Sequence, residues 1–257
     1  MINLLLRLIA AHLVADFFLQ FDCVNEGKYK KGSAGVKWLL LHGLTHGLTI
    51  YLFLAQWDNW FIPLVVMLSH VLADWLKVVY TQQYSSKQPV RPERETLAFV
   101  IDQVVHMAFL ILSVYLYWLL WNRLPIPDSP ISLLFNNRFW ATVVAYLAVL
   151  KPSGILISLL TKRWRSAVQP DAADGDGASL AKAGAWIGYC ERVIALTCIL
   201  LDCVQGIGFL LAAKSIFRFG NLKDGRETKL TEYVLLGSLL SMAIAMCVGF
   251  LLSSFFL

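Results

Sequence analysis

Five histidines, His12, His42, His46, His70 and His106, fall in the first 106 residues of a 257-residue chain, and each has a histidine or an aspartate four residues away. The pairs are His12 with Asp16, His42 with His46, His70 with Asp74, and Asp102 with His106. Composition alone would give a histidine such a neighbour only about one time in eight. Residues four apart share a helix face and lie about 6 Å apart along its axis, so each pair is a ligand clip at two levels. Neutral imidazole with carboxylate suits a divalent metal, with zinc the leading ion and iron or manganese next. The candidate metal ligands are therefore His12, Asp16, His42, His46, His70, Asp74, Asp102 and His106, enough for one or two ions.

The chemistry expected of such a set inside a membrane is metal-dependent hydrolysis. The ion would acidify a bound water, Asp74 or Asp102 would take its proton, and a second ion or Lys77 would stabilise the developing negative charge. Gln20 one turn beyond Asp16, Gln103 beside Asp102, and Lys77 one turn past Asp74 are placed to support the ligands from behind. Lys77 reads equally well as a lysine snorkelling to the interface. Two other readings of the same residues stay open: a pathway for protons or a divalent metal, and a structural metal in a sensor or assembly protein. Haem fits less well, because bis-histidine ligation has no use for three crowding carboxylates. The substrate is unspecified; a lipid or isoprenoid phosphate and a membrane-proximal peptide are both open.

The elements that must carry these clips repeat. His12-Leu13-Val14-Ala15-Asp16-Phe17 and His70-Val71-Leu72-Ala73-Asp74-Trp75 are nearly one hexapeptide, 58 residues apart. A second polar pair begins 30 residues after His12 and 32 after His70. This reads as one helical hairpin used twice. Helices of alternating direction would set His12, His46, His70 and His106 in one layer, and Asp16, His42, Asp74 and Asp102 in another nearer the cytoplasm.

The chain is 58% hydrophobic and only 15% charged, with a mean hydropathy of +0.63. Soluble domains are usually about half apolar and about a quarter charged, so the expected class is all-α: a polytopic membrane helical bundle of six or seven spans. Spans of about twenty apolar residues fall at 2–21, 37–55, 61–80, 97–121, 139–160, 184–213 and 231–256. The first run has no small-residue cleavage site behind it and reads as a retained helix. The expected organisation is a four-helix domain over 1–122, a further membrane helix in 123–165, a flexible cytoplasmic linker over 166–183 and C-terminal membrane helices over 184–257. Asp174 and Asp176 in that linker do not make a calcium loop, since Ala178 stands at the next ligand position and no glutamate follows at the right distance.

Lys28, Lys30, Lys31 and Lys37 mark one loop, Lys87, Arg91 and Arg94 another, and Lys162, Arg163 and Arg165 a third, whereas the loop at Asp58 has no basic residue. Positive charge marks the cytoplasmic side, which places the N-terminus outside. By simple alternation Lys214, Arg218, Lys223, Arg226 and Lys229 would then lie outside, a conflict that calls for a re-entrant or interfacial late segment. The net charge of +5 suits anionic membrane lipid and not nucleic acid, for no basic helix or base-stacking pattern stands outside the spans. Cys23, Cys190, Cys198, Cys203 and Cys247 lack metal or disulfide spacing and read as packing residues. Gly184, Gly188, Gly206 and Gly208 are expected to let helices approach closely. Roles for Glu191, Arg192, Asp202, Lys214, Arg218 and Glu232 are left open, as is assembly of several copies.

The run HLVADFFLQFD with Lys28 behind it, LLLHGLTH, HVLADWLK and IDQVVH together resemble a bacterial inner-membrane family known as domain of unknown function 3307. IGYCERVI, GFLLAAKSIFRFG and LTEYVLLGSLLS resemble the C-terminal extension of its longer members. The resemblance implies a multi-pass protein of the bacterial inner membrane and implies no activity.

Overall fold

The structure, a computed structural model, describes residues 1–85, 92–120, 136–168, 175–219 and 225–256, and no strand occurs among them. The described chain is all-α. The helices are α1 (Ile2–Leu13), α2 (Asp22–Lys28), α3 (Ser33–Leu54), α4 (Phe61–Ser85), α5 (Pro92–Leu120), α6 (Asn137–Val149), α7 (Lys151–Val168), α8 (Gly175–Leu200), α9 (Gln205–Phe219) and α10 (Gly225–Phe256). Five stretches are long and apolar enough to cross a bilayer: Phe61–Gln83, Pro92–Leu120, Asn137–Trp164, Ala183–Leu200 and Glu232–Phe256. The pair Ile2–Phe18 and Asp22–Lys28, bent by 89°, makes a sixth if it is one broken span and otherwise forms a re-entrant loop. The protein is a membrane protein.

α3 has 22 residues and the length of a span, with Lys37, His42 and His46 along it. Its arrangement is that of a soluble helix turned inside out. Leu40, Leu41, Leu44, Leu48 and Leu52 are exposed, while Gly43, Gly47, His42 and His46 are buried. Outward leucines have no aqueous rationale and are what lipid tails accept.

The chain divides into two compact units, Met1–Val144 and Ala145–Leu257. In the first, α3 packs between α1 and α4, and α5 touches both α4 and α1, closing a ring of four helices. One end of the ring is filled by Leu4, Leu8, Ile50, Leu54, Ile62, Val66, Leu110 and Val114. The buried guanidinium of Arg7 completes that end. It donates to the Phe53 and Leu54 carbonyls at the C-terminus of α3, where an orphan backbone acceptor would otherwise be left in apolar surroundings.

The other end is shaped by two backbone devices. After Leu13 the first helix widens into a π-helical turn, Val14–Phe18, closed by Leu19 N–H donating to the Val14 carbonyl at 3.0 Å. Beyond it the chain turns sharply into α2, which packs on α3 where Gly27 leaves no room for a Cβ over Trp38. On the facing side Gly43 and Gly47 admit α4: a Cβ at Gly43 would collide with Val71, and one at Gly47 would lie 3.3 Å from Met67 Cβ.

In the second unit the stretch expected to cross once over 184–213 is broken. α8 stops at Leu200, and Asp202 takes a left-handed conformation with φ 55°. Cys203 N–H donates to the Cys198 carbonyl at 2.7 Å and Asp202 N–H to the Ile199 carbonyl at 3.1 Å, the two bonds of a Schellman helix end. α9 then folds back along α8, with Gly206 against the Cys198 thiol and Lys214 Nζ 2.5 Å from Glu191 Oε1. Lys214 therefore returns to the level of Glu191 on α8, so the stretch 184–213 does not cross as one straight helix. Asp202 lies in the exposed turn and not within a span.

Two further expectations change. The linker expected over 166–183 is helical at both ends, in α7 to Val168 and α8 from Gly175, and its centre, 169–174 with Asp174, lies outside the described residues. Of the four glycines expected at close helix contacts, Gly184 and Gly208 face open space and Gly188 lies against the Arg192 side chain. Gly206 alone meets a neighbouring helix, and Gly249, against Ile199, is a second such contact. Arg192 itself is buried, donating to the Val149 and Leu150 carbonyls where α6 gives way to α7, and to Ser241 Oγ at 2.9 Å.

Candidate metal centre

The four-helix ring brings all five histidines into one cluster. They are 0–3% exposed. The His46 and His70 rings stack with centroids 3.5 Å apart, His70 and His106 lie at 4.2 Å, and His12 lies at 5.2 Å from His46 and 5.3 Å from His106. His42 joins from one turn away, at 4.6 Å from His46 and 4.9 Å from His70.

Asp16, on the π-helical turn, aims one oxygen at three of these rings. Its Oδ1 lies 3.3 Å from His42 Nε2, 3.7 Å from His46 Nε2 and 4.0 Å from His70 Nε2. Its Oδ2 accepts from Gln103 Nε2 at 2.9 Å, so an amide from α5 sets the rotation of the carboxylate. A tetrahedral ion with bonds of about 2.0–2.1 Å holds its ligand atoms about 3.4 Å apart. The four atoms from Asp16, His42, His46 and His70 all lie within 4.8 Å of one another, so small side-chain shifts bring them onto such a tetrahedron. A second group of three, His70, Asp74 and His106, meets the same distance test and shares His70 with the first.

Whether these residues fit a metal is tested by their unpartnered atoms. Among the described residues His12 Nε2, His46 Nδ1 and Nε2, His70 Nε2 and His106 Nε2 are buried without a hydrogen-bond partner. A buried polar atom left so costs about 1–3 kcal/mol. Five in one place would cost on the order of 5–15 kcal/mol, the size of a whole domain's stability. Imidazole nitrogens facing one another at this depth call for partners, and a divalent cation fits the donor set. His106 shows the arrangement typical of a ligand: its Nδ1 donates to the Asp102 main-chain carbonyl at 2.7 Å, which leaves the Nε2 lone pair facing the cluster.

The remaining candidates lie at the edge of the cluster. Asp74 Oδ2 is 3.7 Å from His42 Nε2 and 3.8 Å from His70 Nε2, and it accepts from the buried ammonium of Lys28. Gln20, with its amide oxygen turned to Lys28 Nζ at 3.0 Å and its nitrogen to the Asp16 main-chain carbonyl at 2.9 Å, ties Lys28 to the π-helical turn. Asp102 is drawn away from the rings: its Oδ2 accepts from Lys77 Nζ at 2.8 Å, and its Oδ1 is 3.8 Å from His106 Nδ1. Asp102 and His12 belong to neither four- nor three-ligand group. Lys28 is the site residue that sequence reasoning missed, because it was counted with the loop charges.

The chain matches, over residues 4–132, the family described as protein of unknown function, DUF3307. The chain belongs to that family. The matched stretch contains every residue of the centre and ends before α6 begins. No curated protein and no solved structure matches the chain.

Proposed function

We propose that the first unit is a membrane-embedded metal-dependent enzyme, with hydrolysis as its reaction. The observation that carries this reading is the set of buried, unpartnered imidazole nitrogens facing Asp16. Zinc suits the nitrogen-rich set best, with iron or manganese compatible. When bound, a divalent ion supplies Lewis-acid chemistry and acidifies water. Asp16, His42, His46 and His70 hold it. Asp74, next to that group and held by Lys28, is the carboxylate that takes a proton, and Lys77, whose side chain is 35% exposed, offers positive charge to an anion forming at the rim.

A pathway through the membrane for a cation is disfavoured by the largely apolar filling of the opposite end of the ring, where the buried Arg7 guanidinium carries positive charge. The basic loops and the resemblance of the motifs support a bacterial inner membrane with the N-terminus outside and the centre opening to the cytoplasmic half. A phosphate ester of a membrane lipid, or a membrane-proximal peptide bond, suits that position. Zinc-loaded protein in detergent is expected to hydrolyse chromogenic phosphate or carboxylic esters. Asp74→Asn should lower turnover roughly 10²–10⁴-fold, the usual worth of a positioned base. Turnover undiminished in Asp74→Asn would remove the role assigned to that carboxylate.

A further inference from the structure

Charge in the cluster is unevenly answered. Three carboxylates, Asp16, Asp74 and Asp102, face two ammonium groups. Lys28 is committed to Asp74 and Lys77 to Asp102, while among the described residues no lysine or arginine pairs with Asp16, whose side-chain hydrogen bonds are with the Gln103 amide and with His42 Nε2 at 3.3 Å. A carboxylate buried in apolar surroundings without a cation is costly. The vacancy for positive charge is therefore at Asp16, the same residue whose Oδ1 closes the four-ligand group.

The second, three-ligand group is weakened twice over. It shares His70 with the first, so both cannot use the same nitrogen, and the Asp74 oxygen nearest His42 and His70 is the one that Lys28 occupies. Lys28 is held there deliberately by the fold: the π-turn and the bend into α2 swing it under the ring, where it is 5% exposed, and Gln20 fixes it from the other side.

We propose that the centre is mononuclear, with one divalent ion among Asp16, His42, His46 and His70, and that the tethered ammonium of Lys28 replaces a second ion at Asp74. This rests on the metal reading above and specifies the count and place of the ion. Lys28 is thereby a positioning residue: it holds the Asp74 carboxylate beside the ion and keeps it from becoming a ligand.

The test is elemental analysis of full-length protein purified in detergent after growth with added zinc, with monodispersity checked by size exclusion. The variants are Asp16→Asn and the double variant Lys28→Met with Asp74→Asn, which removes both members of the pair and leaves no stranded charge. One equivalent is expected in the parent protein and in the double variant, with at least a tenfold loss in Asp16→Asn. Two equivalents in the parent, or an ion lost from the double variant and kept in Asp16→Asn, would overturn the mononuclear assignment while leaving a metal protein. No ion in the parent would overturn the metal reading itself.

Discussion

At the scale of single residues, the centre depends on groups that orient ligands as much as on the ligands. Asp16 carries three imidazole contacts on one oxygen, and its other oxygen is held by Gln103. Without that amide the carboxylate can rotate and the Oδ1 geometry is lost. Partners of this kind are worth about 10–100-fold in metal affinity. Gln103→Ala is therefore expected to release zinc to a chelator at about 10–100-fold lower chelator concentration, while eluting as a folded protein; unchanged competition would show that Asp16 needs no such support. The histidine pairs were legible in the sequence because a four-residue spacing fixes one helix face. Lys28 was not, since its partner Asp74 lies 46 residues away and only the turn of the chain into α2 brings the two together.

At the scale of elements, the spacing between α3 and α4 decides whether His42 and His46 reach His70. Gly43 and Gly47 set that spacing; their four-residue separation is a small-xxx-small pattern, yet they were not among the glycines expected at close helix contacts. A side chain at Gly43 meets Val71, a β-branched residue with little rotamer freedom. Gly43→Val is expected to cost about 1–3 kcal/mol by overpacking, read as a lower thermal midpoint, and to shed metal as well. Full metal content in that variant would mean that the two helices need not touch for the centre to form. The break in 184–213 was illegible for a different reason. Hydropathy is continuous across it, and the turn is made by a backbone conformation at Asp202 and by two main-chain hydrogen bonds.

At the scale of the whole molecule, the ring of α1, α3, α4 and α5 carries its histidines and carboxylates toward one end and a mainly apolar cluster at the other, the division that the proposed enzyme requires. The second unit contains no comparable group of metal-binding side chains among its described residues. Its buried ionic groups serve its own fold, Arg192 by bonding carbonyls at the α6–α7 break and Glu191 by pairing with Lys214. Family membership follows the same division, since the matched residues 4–132 hold the whole centre.

The central claim is that the imidazole cluster holds a metal, and metal content of the purified protein beside His46→Ala and His70→Ala tests it most directly. Both rings lie in the four-ligand group and both have buried, unpartnered nitrogens. The account expects bound zinc, iron or manganese in the parent protein and at least a tenfold lower content in each variant, with all three proteins monodisperse. Parent protein purified without chelators that holds no ion and takes none up from added zinc would contradict it.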